Sequence, residues 1–329
     1  MGQEQEIDYN PNKQSYSCIG RLENNYKDLS FEKLKSEIIK SVKSIKKDKN
    51  KKISIKNKLI QKEYNILEKY IDFDKEHLKN LKKGFRDLCR YRDIKPYEHN
   101  SIEINTEKKF INASPINIYS NSNLIATQGP MSNTIEDFWI MVDQYKCNII
   151  IMLCNLIEEN KQKCAYYWDI KNEMMKFKIN IISKEEKKFS NNIIIIRQIK
   201  LINKETNIEK NITQMQYLGW PDNNIPLGNG YFEAFNFMFG QLEKLKGDGS
   251  GIIHCSAGVG RTGTFIASYF LFKEINDQIK DINLKKINFS VFNIVRKLKE
   301  LRLNMVQNVD QYKFIYNFVN YLLIKIYKI

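Results

Sequence analysis

The chain has 329 residues, 42% of them hydrophobic and 28% charged, enough to bury a sizeable core in one large domain or in one domain with an extension. It holds no run of about 18 uncharged apolar residues and begins Met1-Gly-Gln-Glu-Gln-Glu-Ile7, with no apolar leader core, so neither a membrane span nor a secretory leader is expected. The net charge of +15 favours anionic partners. The six cysteines (Cys18, Cys89, Cys147, Cys154, Cys164 and Cys255) lack paired spacing, which suits a reducing, cytoplasmic setting and argues against a metal site.

Residues 1–28 show no clear period and are expected to be loosely ordered. Gly2 could carry an N-myristoyl group, but Glu6 stands where Ser or Thr is wanted, so acylation is not expected. Phe31, Leu34, Ile38, Ile39, Val42 and Ile45 predict a helix over 29–45. A linker is expected at 46–58, and Ile60, Tyr64, Leu67, Tyr70 and Ile71 resume a helical spacing over 60–73. Between Lys33 and Lys62 twelve lysines stand against only Glu37 and Asp48. Such a run could lie on anionic lipid or nucleic acid. With few aromatics or arginines to stack on bases, nucleic acid is not expected, and a solvated surface is preferred over weak membrane association. The chain thus divides into a basic, partly helical extension, 1–59, and a main domain, 60–329.

Asp87-Leu-Cys89-Arg90-Tyr91-Arg92-Asp93-Ile-Lys95-Pro96-Tyr97 reads as a loop running into a proline. Strand-like pieces follow at 109–114 and 125–130, then a helix over 134–145 with Phe138, Trp139 and Val142 on one face. The apolar run 148–153 suits a strand buried on both faces. Residues 175–183 and 192–202 predict antiparallel hairpin strands around a charged turn at 184–188. Pro221-Asp222-Asn223 is turn-forming, and 228–245 is an amphipathic helix. A short apolar strand is expected at 251–254, with helices over 265–279, 289–303 and 312–326.

The chemistry concentrates in Gly251-Ile-Ile-His254-Cys255-Ser256-Ala257-Gly258-Val259-Gly260-Arg261-Thr262-Gly263-Thr264-Phe265. Here a strand stops at a cysteine, and a glycine-rich loop opens a helix. Gly258, Gly260 and Gly263 tolerate the φ > 0 conformations that let successive backbone N–H groups point inward. The first helical turn adds its own N–H groups and positive dipole end, completing a cradle for a tetrahedral dianion. The same field favours a thiolate at Cys255, and Arg261 supplies a planar fork for two phosphate oxygens. Nucleophile, cradle and clamp within seven residues describe phosphoryl transfer through a cysteinyl-phosphate. A dinucleotide fingerprint also fits Gly258-Val-Gly260-Arg-Thr-Gly263. It needs an acidic residue near the end of a second strand; Asp281 lies at a tolerable distance, but no strand-like apolar run follows and 289–329 reads as helix, so the phosphoryl-transfer reading is preferred.

His254-Cys255-x5-Arg261-Thr262 resembles the phosphate loop of the cysteine-dependent protein tyrosine phosphatases, and the likeness extends over most of residues 60–329. It implies an α+β fold, a mixed, twisted sheet flanked by helices, with no metal or cofactor. By that resemblance Cys255 is the nucleophile, and Arg261 and the amides of Ser256, Ala257, Gly258, Val259 and Gly260 hold the phosphate. Thr262 lies close enough to Cys255 to stabilise the departing thiolate, with His254 supporting. The 87–97 stretch resembles the phosphotyrosine loop, making Tyr91 a stacking wall and Asp93 a grip on the substrate backbone, with Arg90 and Arg92 flanking. Trp220-Pro221-Asp222 resembles the mobile general-acid loop: Asp222 is the acid and base, Trp220 the hinge anchor, and Pro221 fixes the turn. Glu158 is expected to pair with Arg261, and Lys163 to touch the acid loop. Met305-Val306-Gln307 followed by Asp310-Gln311-Tyr312 resembles the glutamine loop, with Gln307 holding the attacking water and Gln311 helping. Arg302 props the phosphate loop from behind. Three departures stand out: Cys89 where Asn is usual, Phe110 for Tyr, and Asn223 where Phe or His is common. The implied partners are phosphotyrosine-containing proteins, and a monomer is expected. A dual-specificity enzyme would lack the Tyr91 loop, the Trp220-Pro221-Asp222 context and the glutamine loop. A binding module without turnover would lack nucleophile or acid, and both are present.

Overall fold

The computed structural model describes residues 57–73, 85–104, 109–119, 122–169, 176–278 and 289–326, with the single positions 36 and 40. Gly2, the helix expected at 29–45 apart from those two positions, most of the lysine-rich run and Asp281 lie outside the described residues.

α1 (Asn57–Phe73) starts inside the expected linker, and its Ile60, Tyr64 and Leu67 are buried at the spacing that predicted it. Two short antiparallel strands follow, β1 (Glu103–Ile104) and β2 (Lys109–Phe110). Next come β3 (Ala113–Ile116), β4 (Leu124–Thr127), α2 (Ile135–Gln144) and β5 (Ile149–Met152). A second small pair is β6 (Ile157–Glu158) with β7 (Lys161–Gln162). Three longer strands, β8 (Phe177–Phe189), β9 (Asn192–Asn203) and β10 (Glu209–Tyr217), precede α3 (Tyr231–Lys246). The chain then runs through β11 (Gly251–His254), α4 (Gly260–Gln278), α5 (Val291–Leu301) and α6 (Val309–Ile326).

Seven strands form one mixed sheet in the order β3-β4-β11-β5-β10-β9-β8. β4, β11, β5 and β10 are parallel to one another, while β3, β9 and β8 add antiparallel edges. With its helices this is the α+β architecture expected from the sequence. Ile149, Ile150, Ile151 and Met152 are all buried, as a strand covered on both faces requires. Burying each such side chain stabilises by about 1.5–3 kcal/mol, which offsets the entropy of ordering it. From Gly260 to Leu271 every residue of α4 is buried, so this helix runs through the core. No helix among the described residues is long and apolar enough to cross a membrane.

The hairpin differs from expectation. Lys184-Glu-Glu-Lys-Lys188 is not the turn but part of β8, with Lys184 paired to Arg197 and Lys188 to Ile193. The turn falls at Ser190 and Asn191, between the paired Phe189 and Asn192. β8 is the outermost strand of the sheet, and its charged side chains are exposed. There they lose no hydration and discourage another strand from adding to the edge. β10 was not among the strands expected from the sequence, because Gln214 and Gln216 are buried polar residues that mask its strand pattern.

Candidate active site

The parallel strands all end on one side of the sheet, where loops beyond carboxyl ends converge into a binding crevice. Cys255 follows β11, the segment carrying Trp220, Pro221 and Asp222 follows β10, and β6 with Glu158 follows β5. Three side chains far apart in sequence thus meet because their strands are neighbours in the sheet.

Cys255 is 3% exposed, and the Gly258 N–H donates to its sulfur at 3.3 Å. Gly258 has φ 73, and a Cβ there would overlap the Thr127 carbonyl oxygen, so only glycine fits. Gly260 and Gly263, expected to supply positive φ as well, do not. Both lie in α4, and glycine serves close approach instead. A Cβ at Gly260 would stand 2.7 Å from Gln307 Oε1, and one at Gly263 would stand 2.5 Å from the Val306 nitrogen. Arg302, fully buried, donates from Nε to the Gly258 carbonyl at 2.9 Å and from Nη2 to the Ala257 carbonyl at 3.3 Å. It also donates to Asn112 Oδ1 at 2.8 Å and Ser114 Oγ at 3.2 Å. These bonds turn the loop's carbonyls toward a cation and away from any anion in the crevice. Burial pulls the Arg302 pKa down to about 10, which still leaves it charged at neutral pH. The Val259 carbonyl accepts from the N–H groups of Gly263 at 2.7 Å and Val306 at 3.3 Å.

Arg261 is 3% exposed and forks onto Glu158, with Nη1 to Oε1 at 2.7 Å and Nη2 to Oε2 at 3.0 Å. Its Nη1 also donates to the Trp220 carbonyl at 3.0 Å, and Nη2 to Asp222 Oδ1 at 3.0 Å. Burial acts to lower the Arg261 pKa, but the Glu158 hydrogen bond and the Cys255 charge outweigh it and hold the group higher than usual. The other oxygen of Asp222 is bound by Lys163. Burial acts to raise the Asp222 pKa, yet the Lys163 bond and the Arg261 charge prevail and keep it below its ordinary value. Trp220, 1% exposed, donates to the Asn224 carbonyl at 2.7 Å and packs on Tyr217, Phe235 and Phe314. Pro221 is half-buried beside it. Asn223 has φ 50, a region that Asn tolerates better than most residues. Its carbonyl accepts from Asn308 Nδ2 at 3.0 Å, joining the Asp222 segment to the Gln307 segment.

Gln307 is exposed, with its amide oxygen beside Gly260, and its backbone N–H donates to Gln311 Oε1 at 2.9 Å. Gln311 is buried and braces the loop through that bond. Tyr91 lies across the loop mouth, its hydroxyl 3.1 Å from Ser256 Oγ, while Asp93 and Arg92 are exposed. The Arg90 guanidinium donates to the carbonyls of Gly129, Pro130 and Gln162. The buried Thr262 hydroxyl has no hydrogen-bond partner among the described residues, the Cys255 sulfur included. Cys89 is buried beside Asn112, Lys95 and Arg302, and burial pushes its thiol pKa up.

His254 is fully buried, with Nδ1 at 3.1 Å from the Cys255 carbonyl and Nε2 at 2.9 Å from the Tyr167 hydroxyl. A carbonyl only accepts, so Nδ1 carries a proton toward Cys255. Gln214 Nε2 donates to Tyr167 at 2.8 Å, and Arg197 Nη1 donates to Gln214 Oε1 at 2.7 Å. This hydrogen-bond chain from β9 to the Cys255 carbonyl was not legible in the sequence, since no local pattern marks Arg197, Tyr167 or Gln214.

A model of the protein-tyrosine phosphatase family matches residues 85–321. Tyrosine-protein phosphatase non-receptor type 20 of Rattus norvegicus is 35% identical over 238 residues, 71% of this chain and 54% of that protein. Tyrosine-protein phosphatase non-receptor type 2 of Homo sapiens is 32% identical over 241 residues, 70% of this chain and 55% of that protein. The chain therefore spans just over half the length of these relatives. Among solved structures, PTPN18 in complex with HER2-pY1196 phosphopeptides superposes with a TM-score of 0.71 at 23% identity, covering 85% of this chain and 97% of that one. At that identity the likeness is one of fold. Sequence, fold and family model agree: the chain belongs to the protein-tyrosine phosphatase family.

Proposed function

We propose that the protein hydrolyses phosphotyrosine in proteins through a cysteinyl-phosphate, in a catalytic unit running from residue 60 to 329 that includes most of α1. The observation that carries this reading is the meeting of Cys255, Arg261 and Asp222, nucleophile, clamp and carboxylate, at one end of the sheet. The Cys255 thiolate attacks phosphorus while the loop amides and Arg261 hold the equatorial oxygens. The S–P bond forms as the P–O bond breaks, and Asp222 gives its proton to the leaving tyrosyl oxygen. Here Asp222 is paired with Arg261 and Lys163. A phosphate dianion on the Arg261 fork would take over that partner and add like charge, and both effects raise the carboxyl's pKa toward the protonated form an acid needs. In the second step water oriented by Gln307 attacks phosphorus, Asp222 takes the water's proton, and the thiolate departs. The unpaired Thr262 hydroxyl is a donor available to that sulfur. Tyr91 lines a slot that suits a phenyl ring, which sets phosphotyrosine apart from shorter phosphoserine.

Turnover of phosphotyrosyl, phosphoseryl and phosphothreonyl peptides tests the reading. Selective phosphotyrosyl turnover is expected, abolished by Cys255→Ser. Asp222→Ala is expected to lower kcat by about 10²–10⁴-fold. Equal rates on all three peptides, or turnover that survives Cys255→Ser, would refute it.

A further inference from the structure

The peptide group between Val306 and Gln307 is gripped at both ends. Its N–H is bound by Gln311 Oε1 at 2.9 Å. Its carbonyl accepts from Tyr64 Oη at 3.3 Å and from Lys299 Nζ at 3.2 Å. Val306 is β-branched and held at φ 59, a conformation that persists only where the surroundings impose it. Tyr64 belongs to α1, which lies before the family-matched residues 85–321 and 242 positions from Val306.

α1 is itself firmly seated. Glu63 is fully buried, with its carboxylate taking hydroxyl donors from Tyr312 and Tyr316 of α6. Glu68 accepts from Lys299 Nζ at 2.9 Å. The Tyr64 ring lies 5.5 Å from that of Tyr312 and 5.6 Å from Lys299 Nζ. The Tyr64 hydroxyl also neighbours Glu68, so tyrosine, carboxylate and ammonium form one cluster around the Val306 carbonyl.

We infer that α1 is a positioning element for the second chemical step, with Tyr64, Glu68 and Lys299 fixing the backbone that aims Gln307 at the attacking water. The inference rests on the phosphatase reading above. Cysteinyl-phosphate formation uses Cys255, Arg261, Asp222 and the phosphate-loop amides, which Val306 meets through its N–H on the Val259 carbonyl and not through the carbonyl that the cluster grips, whereas hydrolysis depends on where Gln307 points.

Rapid mixing with an aryl phosphate separates the steps. Aryl-alcohol release in the first turnover reports formation, and decay of the acid-quenched phosphoenzyme reports hydrolysis. Tyr64→Phe keeps the ring and removes one hydrogen bond of ordinary strength, so hydrolysis should slow by about three- to tenfold with formation held within about twofold. Tyr316→Phe, which removes a hydroxyl from Glu63 of the same helix rather than from the Val306 carbonyl, should lower the melting temperature without changing the ratio of the two rates. If Tyr64→Phe yields no folded protein, Glu68→Gln, at a side chain 42% exposed, takes the same measurement. Equal slowing of both steps, or no change in either, overturns the inference. Absence of any Cys255-dependent phosphoenzyme in the unaltered chain overturns the phosphatase reading, and this inference with it.

Discussion

At the scale of single residues, Asp222 shows how one carboxylate is held by two cations in the folded chain. Its folded pKa is depressed by Lys163 and Arg261 against the effect of burial. A depressed carboxylate stabilises the fold above its unfolded pKa of about 3.9, and that contribution is lost as pH falls through the lower folded value. Lys163→Met should therefore cost on the order of 1 kcal/mol at neutral pH, with the difference from the unaltered chain vanishing in strong acid. Urea titrations at several pH values check this, and carboxyl NMR should show the Asp222 pKa rising in the variant. Two residues that depart from the family pattern also gain a local account. Asn223 occupies a left-handed conformation that suits asparagine, and Cys89 packs behind the phosphate loop as a buried thiol.

At the scale of elements, the phosphate loop is held from behind as much as it is built from its own glycines. Arg302 closes four hydrogen bonds to Ala257, Gly258, Asn112 and Ser114. Arg302→Met should destabilise the protein by about 3 kcal/mol, because four buried polar groups lose their donor. Thermal melting measures the loss, and aryl phosphate turnover should fall with it, since the carbonyls of the loop are then free to turn inward. The Cys255-x5-Arg261 spacing was legible because a strand, a tight loop and a helix start follow from local backbone rules. The use of Gly260 and Gly263 was not, since the atoms that crowd them belong to Gln307 and Val306. Nor was the strut role of Arg90, whose acceptors lie on the segments around Gly129 and Gln162.

At the scale of the whole molecule, strand order decides which loops meet. The 184–188 segment looked like a turn because five consecutive charges seldom sit in a sheet, and its place on the outer edge resolved the matter. Hydrogen exchange should show amides within 183–189 protected by pairing with β9 and those of Ser190 and Asn191 exchanging fast; rapid exchange through 184–188 would contradict the observed register. The sequence alone determined the helices with a regular apolar period, the buried strand at 149–152, and the family resemblance carried by the Cys255 and Asp222 stretches. All of these depend on residues within a few positions of one another, where backbone geometry leaves few choices. Only the tertiary structure decided that Asp222 reaches Arg261, that Arg302 meets Asn112 across 190 positions, and that Tyr64 reaches Val306 across 242. Local patterning is compatible with many such pairings, and the packing of one shared core selects among them.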